Sequence, residues 1–338
     1  MHVFVTGATG FIGLHTVIAL LEAGHTVRLG VRNAEKMQRL YALHDIKIDD
    51  FAVGEITDKI SIDKALEGCD AVVHTAAMVS LDPAAAKQMY KTNVVGTQRV
   101  IGGAVERGID SIVHVSSTAA LFNPELDVIN DSTPLAEATT PYARSKADSE
   151  RYVQQLVDKG ANIALTYPTC VIGPDDPAVS EGNQSLIIIL NNCHVNTSSG
   201  IQAIDVRELA RAHVRLLEDK KSGRYLVAGH YYSWRDFGKL LSKVLGQRLT
   251  TIPIPGPLMR TLGSLTDILR PVLPDDIPIS REATALATRW VRCDDSKLRK
   301  ELELEYRPLQ QTLTDTIAWL IEAGHVPRKW ADKLPDNR

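Results

Sequence analysis

Tyr142 and Lys146 stand four residues apart in Tyr142-Ala143-Arg144-Ser145-Lys146. On a helix that spacing puts both side chains on one face, one turn apart. A free tyrosine has a pKa of about 10 and is a poor base at neutral pH. A neighbouring ammonium favours the phenolate and lowers that pKa. The pair can then give a proton to a developing alkoxide or take one from an alcohol. Y-x-x-x-K alone occurs in many helices by chance. Its meaning depends on the elements that position it.

The chain opens with Val3-Phe4-Val5-Thr6-Gly7-Ala8-Thr9-Gly10-Phe11-Ile12-Gly13. A short apolar strand runs into a glycine turn, and the pattern Ile12, Val17, Leu20, Leu21 then reads as a helix closed by Gly24. Strand, glycine turn and helix place a pyrophosphate on a helix N-terminus. Gly7 serves the tight turn, Gly10 lets backbone approach phosphate, and Gly13 lets helix and strand pack closely. Thr9, Phe11 and Ile12 complete that expected cofactor contact. The plainer reading is an ordinary glycine-rich turn.

His25 to Arg32 reads as the second strand, whose tip meets the adenosine ribose in such folds. An acid there accepts from a ribose 2′-hydroxyl. This chain has Arg32, which suits a 2′-phosphate instead. The expected cofactor is therefore NADP(H), with NAD(H) as the alternative. Arg28 is a weaker second candidate, and a solvated surface arginine is the plainer reading. Ala71 to Ala77 is a buried-looking strand ending in the small residues Thr75, Ala76 and Ala77, which leave room for a ligand. His74 reads as a core histidine with a satisfied ring.

These motifs together resemble the extended branch of the short-chain dehydrogenase/reductase superfamily, of the NAD-dependent epimerase/dehydratase type. T-G-A-T-G-F-I-G is a usual opening there. The wording around Arg32 and the strand Gly223-Arg224-Tyr225-Leu226-Val227-Ala228-Gly229 looks most like its dihydroflavonol-4-reductase-like and 3β-hydroxysteroid dehydrogenase-like group. The resemblance implies further roles. Asn93, in Asn93-Val94-Val95-Gly96-Thr97, matches an N-x-x-G-T element that holds the lysine network. The strand Ser111 to Thr118 ends in hydroxyls, and alignment puts Thr118 in the active position with Ser117 as fallback. Glu55 and Ile56 fall where the family meets adenine, and Lys146 would hold the nicotinamide ribose. Pro168 and Val171 fall in an R-P-x-x-V-x-G-P strand and turn near the nicotinamide, where Tyr167 replaces the expected arginine. Tyr142, Lys146 and the opening glycines complete the implied site. A homodimer through the helices bearing Asn93 and Tyr142 is implied as well.

The expected fold is α/β, a Rossmann-type doubly wound parallel sheet with a smaller mixed α/β C-terminal part. Residues 1–169 read as the NAD(P)-binding domain, with about 200–222 returning to it; 170–199 and 223–338 read as the substrate-binding part. Asp205 and Ser233 read as helix N-caps. Leu186 to Leu190 would line a pocket or be core. Residues 253–274, bounded by prolines, read as a core helix or a lid, less readily as a membrane-surface helix.

A formal charge of −3 over 338 residues gives no nucleic-acid footprint. The cysteines Cys69, Cys170, Cys193 and Cys293 are scattered, form no C-x-x-C, and read as free thiols of a cytoplasmic protein. A strand beginning almost at Met1 leaves no room for a leader, no apolar run is long enough to span a membrane, and no metal-ligand spacing stands out. The expectation is a reductase of ketones or aldehydes acting on a small molecule, working in either direction, with Tyr142 as proton donor. An NAD-dependent nucleotide-sugar epimerase/dehydratase and a non-catalytic NADP sensor are the alternatives.

Overall fold

The computed structural model describes residues 1–80, 83–137, 140–269, 284, 288, 289 and 291–333. The strands run β1 (His2–Thr6), β2 (Thr26–Val31), β3 (Phe51–Val53), β4 (Ala71–His74), β5 (Ile112–Val115), β6 (Val128–Ile129), β7 (Ile163–Pro168), β8 (Cys170–Ile172), β9 (His194–Asn196), β10 (Gly200–Asp205), β11 (Gly223–Val227), β12 (His230–Ser233), β13 (Thr251–Pro253) and β14 (Arg292–Cys293). The helices begin with α1 (Phe11–Glu22), α2 (Ala34–Ala42), α3 (Lys59–Ala65), α4 (Ala86–Tyr90) and α5 (Gly96–Glu106). They continue with α6 (Pro141–Asp158), α7 (Glu181–Asn191), α8 (Val206–Glu218), α9 (Trp234–Val244) and α10 (Gly256–Leu269).

Seven strands form one parallel sheet in the order β11-β7-β5-β4-β1-β2-β3. Its central strands β1, β4 and β5 are almost wholly buried, as a sheet covered on both faces requires. Leu14, Val17, Leu20, Leu209 and Leu216 bring α1 and α8 onto one face. Ile62, Val100, Ile101 and Val153 bring α3, α5 and α6 onto the other. The doubly wound α/β fold expected from the sequence is therefore present. Strand order reverses between β1 and β4, so a crevice opens at their carboxyl ends.

A smaller mixed sheet, β12-β10-β8, pairs β10 antiparallel to β12 and parallel to β8. Leu186 and Leu190 of α7 and Phe237 and Leu241 of α9 join Leu313 and Ile317 of the Leu309–Glu322 helix in its core. Leu186 and Leu190 are thus core residues. Asp205 caps α8 by accepting from Arg207 N at 2.8 Å, and Ser233 caps α9 by accepting from Asp236 N at 3.1 Å.

The pairings of two strands go beyond what the sequence specifies. β11 pairs with β7, Leu226 opposite Tyr167, and is the edge of the large sheet. β10 pairs with β8 and β12, while α8 after it packs on the large sheet. Sequence periodicity identifies a strand but not its neighbour. The core reading of residues 253–274 fails where it is described. Leu258, Leu262, Leu265, Ile268 and Leu269 of α10 are exposed, and the helix buries only Gly256 and Gly263. Residues 270–274 lie outside the described residues.

Candidate active site

The glycine turn forms the floor of the crevice. Gly7 adopts φ +72°, and a Cβ there would sit 2.5 Å from Thr75 Oγ1 and 2.6 Å from Ala76 N. A Cβ on Gly13 would sit 2.1 Å from Gly7 O. Only glycine allows this closeness. Gly10 N donates to Gly7 O at 2.9 Å, and Tyr41 OH holds Ala8 O at 2.8 Å. Gly10 caps α1 without any side-chain hydrogen bond, so the amides of Phe11, Ile12 and Gly13 lack a side-chain cap. Thr9 lies on the same turn. These donors fit a dinucleotide pyrophosphate. Thr75 Oγ1 donates to Thr6 O at 2.8 Å, which keeps the β4 end against the turn, with Ala76 and Ala77 just beyond it.

Arg32 is exposed just past the β2 tip and makes no ion pair among the described residues. Asn33 beside it caps α2, accepting from Lys36 N at 2.8 Å. Arg28 is held elsewhere, donating to Asp50 Oδ1 at 2.8 Å and to the carbonyls of Ala65 and Glu67. Glu55 is exposed, Ile56 packs where a Cβ on Gly96 would stand, and Asp58 caps α3.

Beyond β5 the hydroxyl residues point different ways. Ser117 lies close enough to the Tyr142 phenol to hold its pKa down, and its Oγ accepts from Ala119 N at 3.2 Å. Thr118 Oγ1 donates instead to Pro168 O at 3.2 Å. The hydroxyl next to Tyr142 is therefore Ser117, although alignment favoured Thr118. Val171, past Pro168, pairs with Ile204 of β10.

Tyr142 lies in the first turn of α6, which Thr140 caps and Pro141 opens. Lys146, one turn on, is buried and donates to Val115 O at 3.1 Å. Asn93 is 2 % exposed, not on a solvated helix face. It lies in a π-helical segment, Lys91–Val95, between α4 and α5. Its Oδ1 accepts from Met78 N at 2.7 Å, while its Nδ2 donates to Met78 O and to Ser145 Oγ, each at 2.9 Å. His74 is satisfied as expected, bonded to Thr6 Oγ1 at 2.6 Å and Thr97 Oγ1 at 3.1 Å.

Electrostatics correct one expectation. Tyr142 is not acidified. Burial pushes its pKa up to about 12, Ser117 opposes the rise, and the Glu181 carboxylate adds to it. Lys146 does not counter this, because burial also lowers its own pKa to about 8, with Glu150 opposing. Tyr142 is thus a neutral phenol at physiological pH, a donor more than a base. Burial likewise pushes the Cys170 thiol up to about 12, which leaves it unreactive.

Sequence reasoning missed Glu150 and the link it makes to Tyr167 and the half-buried Arg224 one turn beyond Lys146. The spacing of four that selects Lys146 from Tyr142 also selects Glu150 from Lys146, so part of the signal was present. Among the described residues no cluster of side chains suits a metal ion, and no helix is long and apolar enough to cross a membrane.

A glycine cradle at the switch point of a parallel sheet, with Tyr142 and Lys146 above it, defines an NAD(P)-dependent oxidoreductase of the extended short-chain type. The chain belongs to the NAD dependent epimerase/dehydratase family, whose model matches residues 3–229. It is 29% identical over 333 residues to sterol demethylase protein B of Methylococcus capsulatus, covering 96% of this chain and 100% of that one. It is 27% identical over 334 residues to a putative dihydroflavonol 4-reductase of Synechocystis, covering 96% and 95%. The crystal structure of gox2253 superposes with a TM-score of 0.80 at 26% identity, covering 96% of this chain and 99% of that one.

Proposed function

We propose that this chain is an NADP(H)-dependent oxidoreductase that interconverts a ketone or aldehyde with its alcohol. The observation that carries the reading is Tyr142 in the first turn of α6 with the buried Lys146 one turn on, donating to Val115 O at the carboxyl end of β5 at 3.1 Å. When bound, a reduced nicotinamide supplies hydride to a carbonyl carbon. Tyr142 Oη gives its proton to the oxygen as that oxygen becomes an alkoxide. Ser117 Oγ holds the same oxygen and polarises it. Lys146 would hold the nicotinamide ribose, and the amides after Gly10 would hold the pyrophosphate. A phenol that stays protonated to about pH 12 has its proton available to give at physiological pH.

Arg32 supports the 2′-phosphate, because its guanidinium is exposed and free of carboxylate partners among the described residues. It also weighs against the nucleotide-sugar epimerase alternative, as does the loop from Asp175 to Ser199, which contains no lysine or arginine for a diphosphate. The sensor alternative leaves the retained Tyr142 and Lys146 without a role. The name of the Synechocystis relative supports a reductase, while sterol demethylase protein B points to substrates of another shape. Two further parts of the proposal are a homodimer, which rests on family resemblance, and a cytoplasmic setting, which rests on the scattered free thiols. A monomer in sedimentation at micromolar protein would exclude the first; cell fractionation decides the second.

The test is thermal unfolding with NADP+ and with NAD+. A ligand that binds the native state stabilises it by RT ln(1 + [L]/Kd). NADP+ should stabilise the protein more, and Arg32→Ala should erase the difference. Equal or greater stabilisation by NAD+ in the wild type would sink the NADP(H) assignment.

A further inference from the structure

The line of groups that begins at Tyr142 and Lys146 continues into the molecule. One turn beyond Lys146, Glu150 is 2 % exposed. Its Oε2 accepts from Ser116 Oγ at 3.1 Å, and its Oε1 accepts from Tyr167 OH at 2.5 Å. Arg224, from the neighbouring strand β11, lies over the Tyr167 ring at 5.1 Å and donates from Nε to Tyr167 OH at 2.8 Å. Its Nη2 stands 3.3 Å from Glu150 Oε1, a charge contact without hydrogen-bond geometry. Its Nη1 is held by Thr133 O at 2.6 Å and Asp131 O at 3.2 Å.

We propose that Arg224 is a positioning residue for the Tyr142–Lys146 pair: its guanidinium, delivered from β11, anchors the Glu150 carboxylate one turn beneath Lys146. This rests on the roles given above to Tyr142 and Lys146. A carboxylate removed from water protonates unless a cation and hydrogen bonds hold it. Burial raises the Glu150 pKa above the ordinary carboxylate value, and Tyr167, Arg224 and Ser116 oppose that rise and hold the charge against it. Its negative charge in turn favours the ammonium of Lys146. The other groups facing this line are Tyr142 on α6, the buried imidazoles of His74 on β4 and His114 on β5, and Glu181 from α7 toward Tyr142. Burial keeps both imidazoles neutral. Beyond Arg224, Asp131 pairs with Lys297 at 3.4 Å. Charge therefore alternates along Lys146, Glu150 and Arg224. Apolar residues of similar volume often stabilise a core as well as a buried ion pair does, and a role in holding Lys146 accounts for the ions here.

The experiment follows Lys146 in two ways. The first is the pH profile of kcat/KM for carbonyl reduction with NADPH. The second needs no turnover: the pH dependence of unfolding free energy in the protein without nucleotide, each variant against the same variant carrying Lys146→Met. Lys146 titrates at about 8 in the fold and at the ordinary 10.5 unfolded. Below its folded pKa the buried charge costs stability, and the cost is relieved as pH rises from about 8 to 10.5.

In Glu150→Gln and Arg224→Gln the onset of that relief should move acid-ward by about one pH unit, with the inflection in kcat/KM. Arg224→Lys keeps the charge and should keep the onset. Arg224→Gln combined with Tyr167→Arg returns a cation to Glu150 from β7 and should restore it. An onset unmoved in Arg224→Gln overturns the proposal. So does an onset that moves but is not restored by Tyr167→Arg, which would assign Arg224 to the Asp131 and Thr133 carbonyls. Should Arg224→Gln not fold, the double variant decides: a wild-type onset supports the proposal and a shifted one overturns it. Absence of turnover in every protein, with the stability onsets as expected, would fault the assigned reaction and not the role of Arg224.

Discussion

Asn93 Nδ2 donates to Ser145 Oγ at 2.9 Å, and Ser145 Oγ in turn donates to Tyr142 O at 2.8 Å. The π-helical turn at Lys91–Val95 aims the Asn93 amide at α6 and at the Met78 backbone together. Irregular turns of this kind often mark functional sites. The chain thereby ties the loop after β4 to the helix that carries Tyr142 and Lys146.

Asn93→Ala removes the partner of the half-buried Met78 N–H and C=O and of the buried Ser145 hydroxyl. We predict a stability loss of about 1–3 kcal/mol and a fall in kcat of roughly tenfold or more as α6 shifts. Urea unfolding and steady-state kinetics check both. A variant with wild-type kcat would show that this bond does not position the site.

Gly13→Ala places a methyl 2.1 Å from Gly7 O, a contact that neither backbone segment can accommodate unmoved. Dinucleotide binding should fall below detection in calorimetry, and stability should drop by about 1–3 kcal/mol. Gly24→Ala is the contrast. Gly24 has φ +80° but nothing within 4 Å of a Cβ, so that variant should lose stability while binding nucleotide normally.

Acid should unfold the protein through its buried histidines. His74 and His213 are held neutral by burial, each with a pKa of about 3 against the ordinary 6.5. A histidine whose folded pKa is depressed takes up its proton first in the unfolded chain. Its contribution is complete above 6.5 and is lost as pH falls from 6.5 toward 3. At pH 5 each such imidazole costs about 2 kcal/mol. His213→Gln should keep one of its bonds, to Thr16 Oγ1 or Thr166 Oγ1, and flatten the acid limb. An acid limb of unchanged slope would acquit this histidine.

In the reduction direction, kcat/KM should fall once pH passes about 8, as Lys146 loses its charge, while Tyr142 stays protonated to about 12. Lys146→Arg should remove the inflection near 8. Persistence of that inflection in Lys146→Arg would place the titrating group elsewhere.

The sheet and the cradle were legible because their signals are local. Strand length, glycine spacing and caps such as Asp205 and Ser233 follow from neighbouring residues alone. Ser117 and Thr118 were not separable, because one residue at the end of a strand reverses the direction of a side chain. The rise in the Tyr142 pKa was not legible either: Y-x-x-x-K shows the ammonium, but burial comes from the whole fold. Arg224 lies 57 residues from the hydroxyl it contacts on Tyr167, and only the pairing of β11 with β7 brings the two together. The edge position of β11 had no local signal at all.

In the proposed reaction Tyr142 protonates the carbonyl oxygen during reduction. The most direct test of this step is Tyr142→Phe, with NADPH oxidation followed over a panel of ketones and aldehydes and NADP+ affinity measured on the same preparation. Turnover should fall by roughly 10²–10⁴-fold, with NADP+ affinity within a few-fold of wild type. Turnover within a few-fold of wild type, with NADP+ bound normally, would contradict that role.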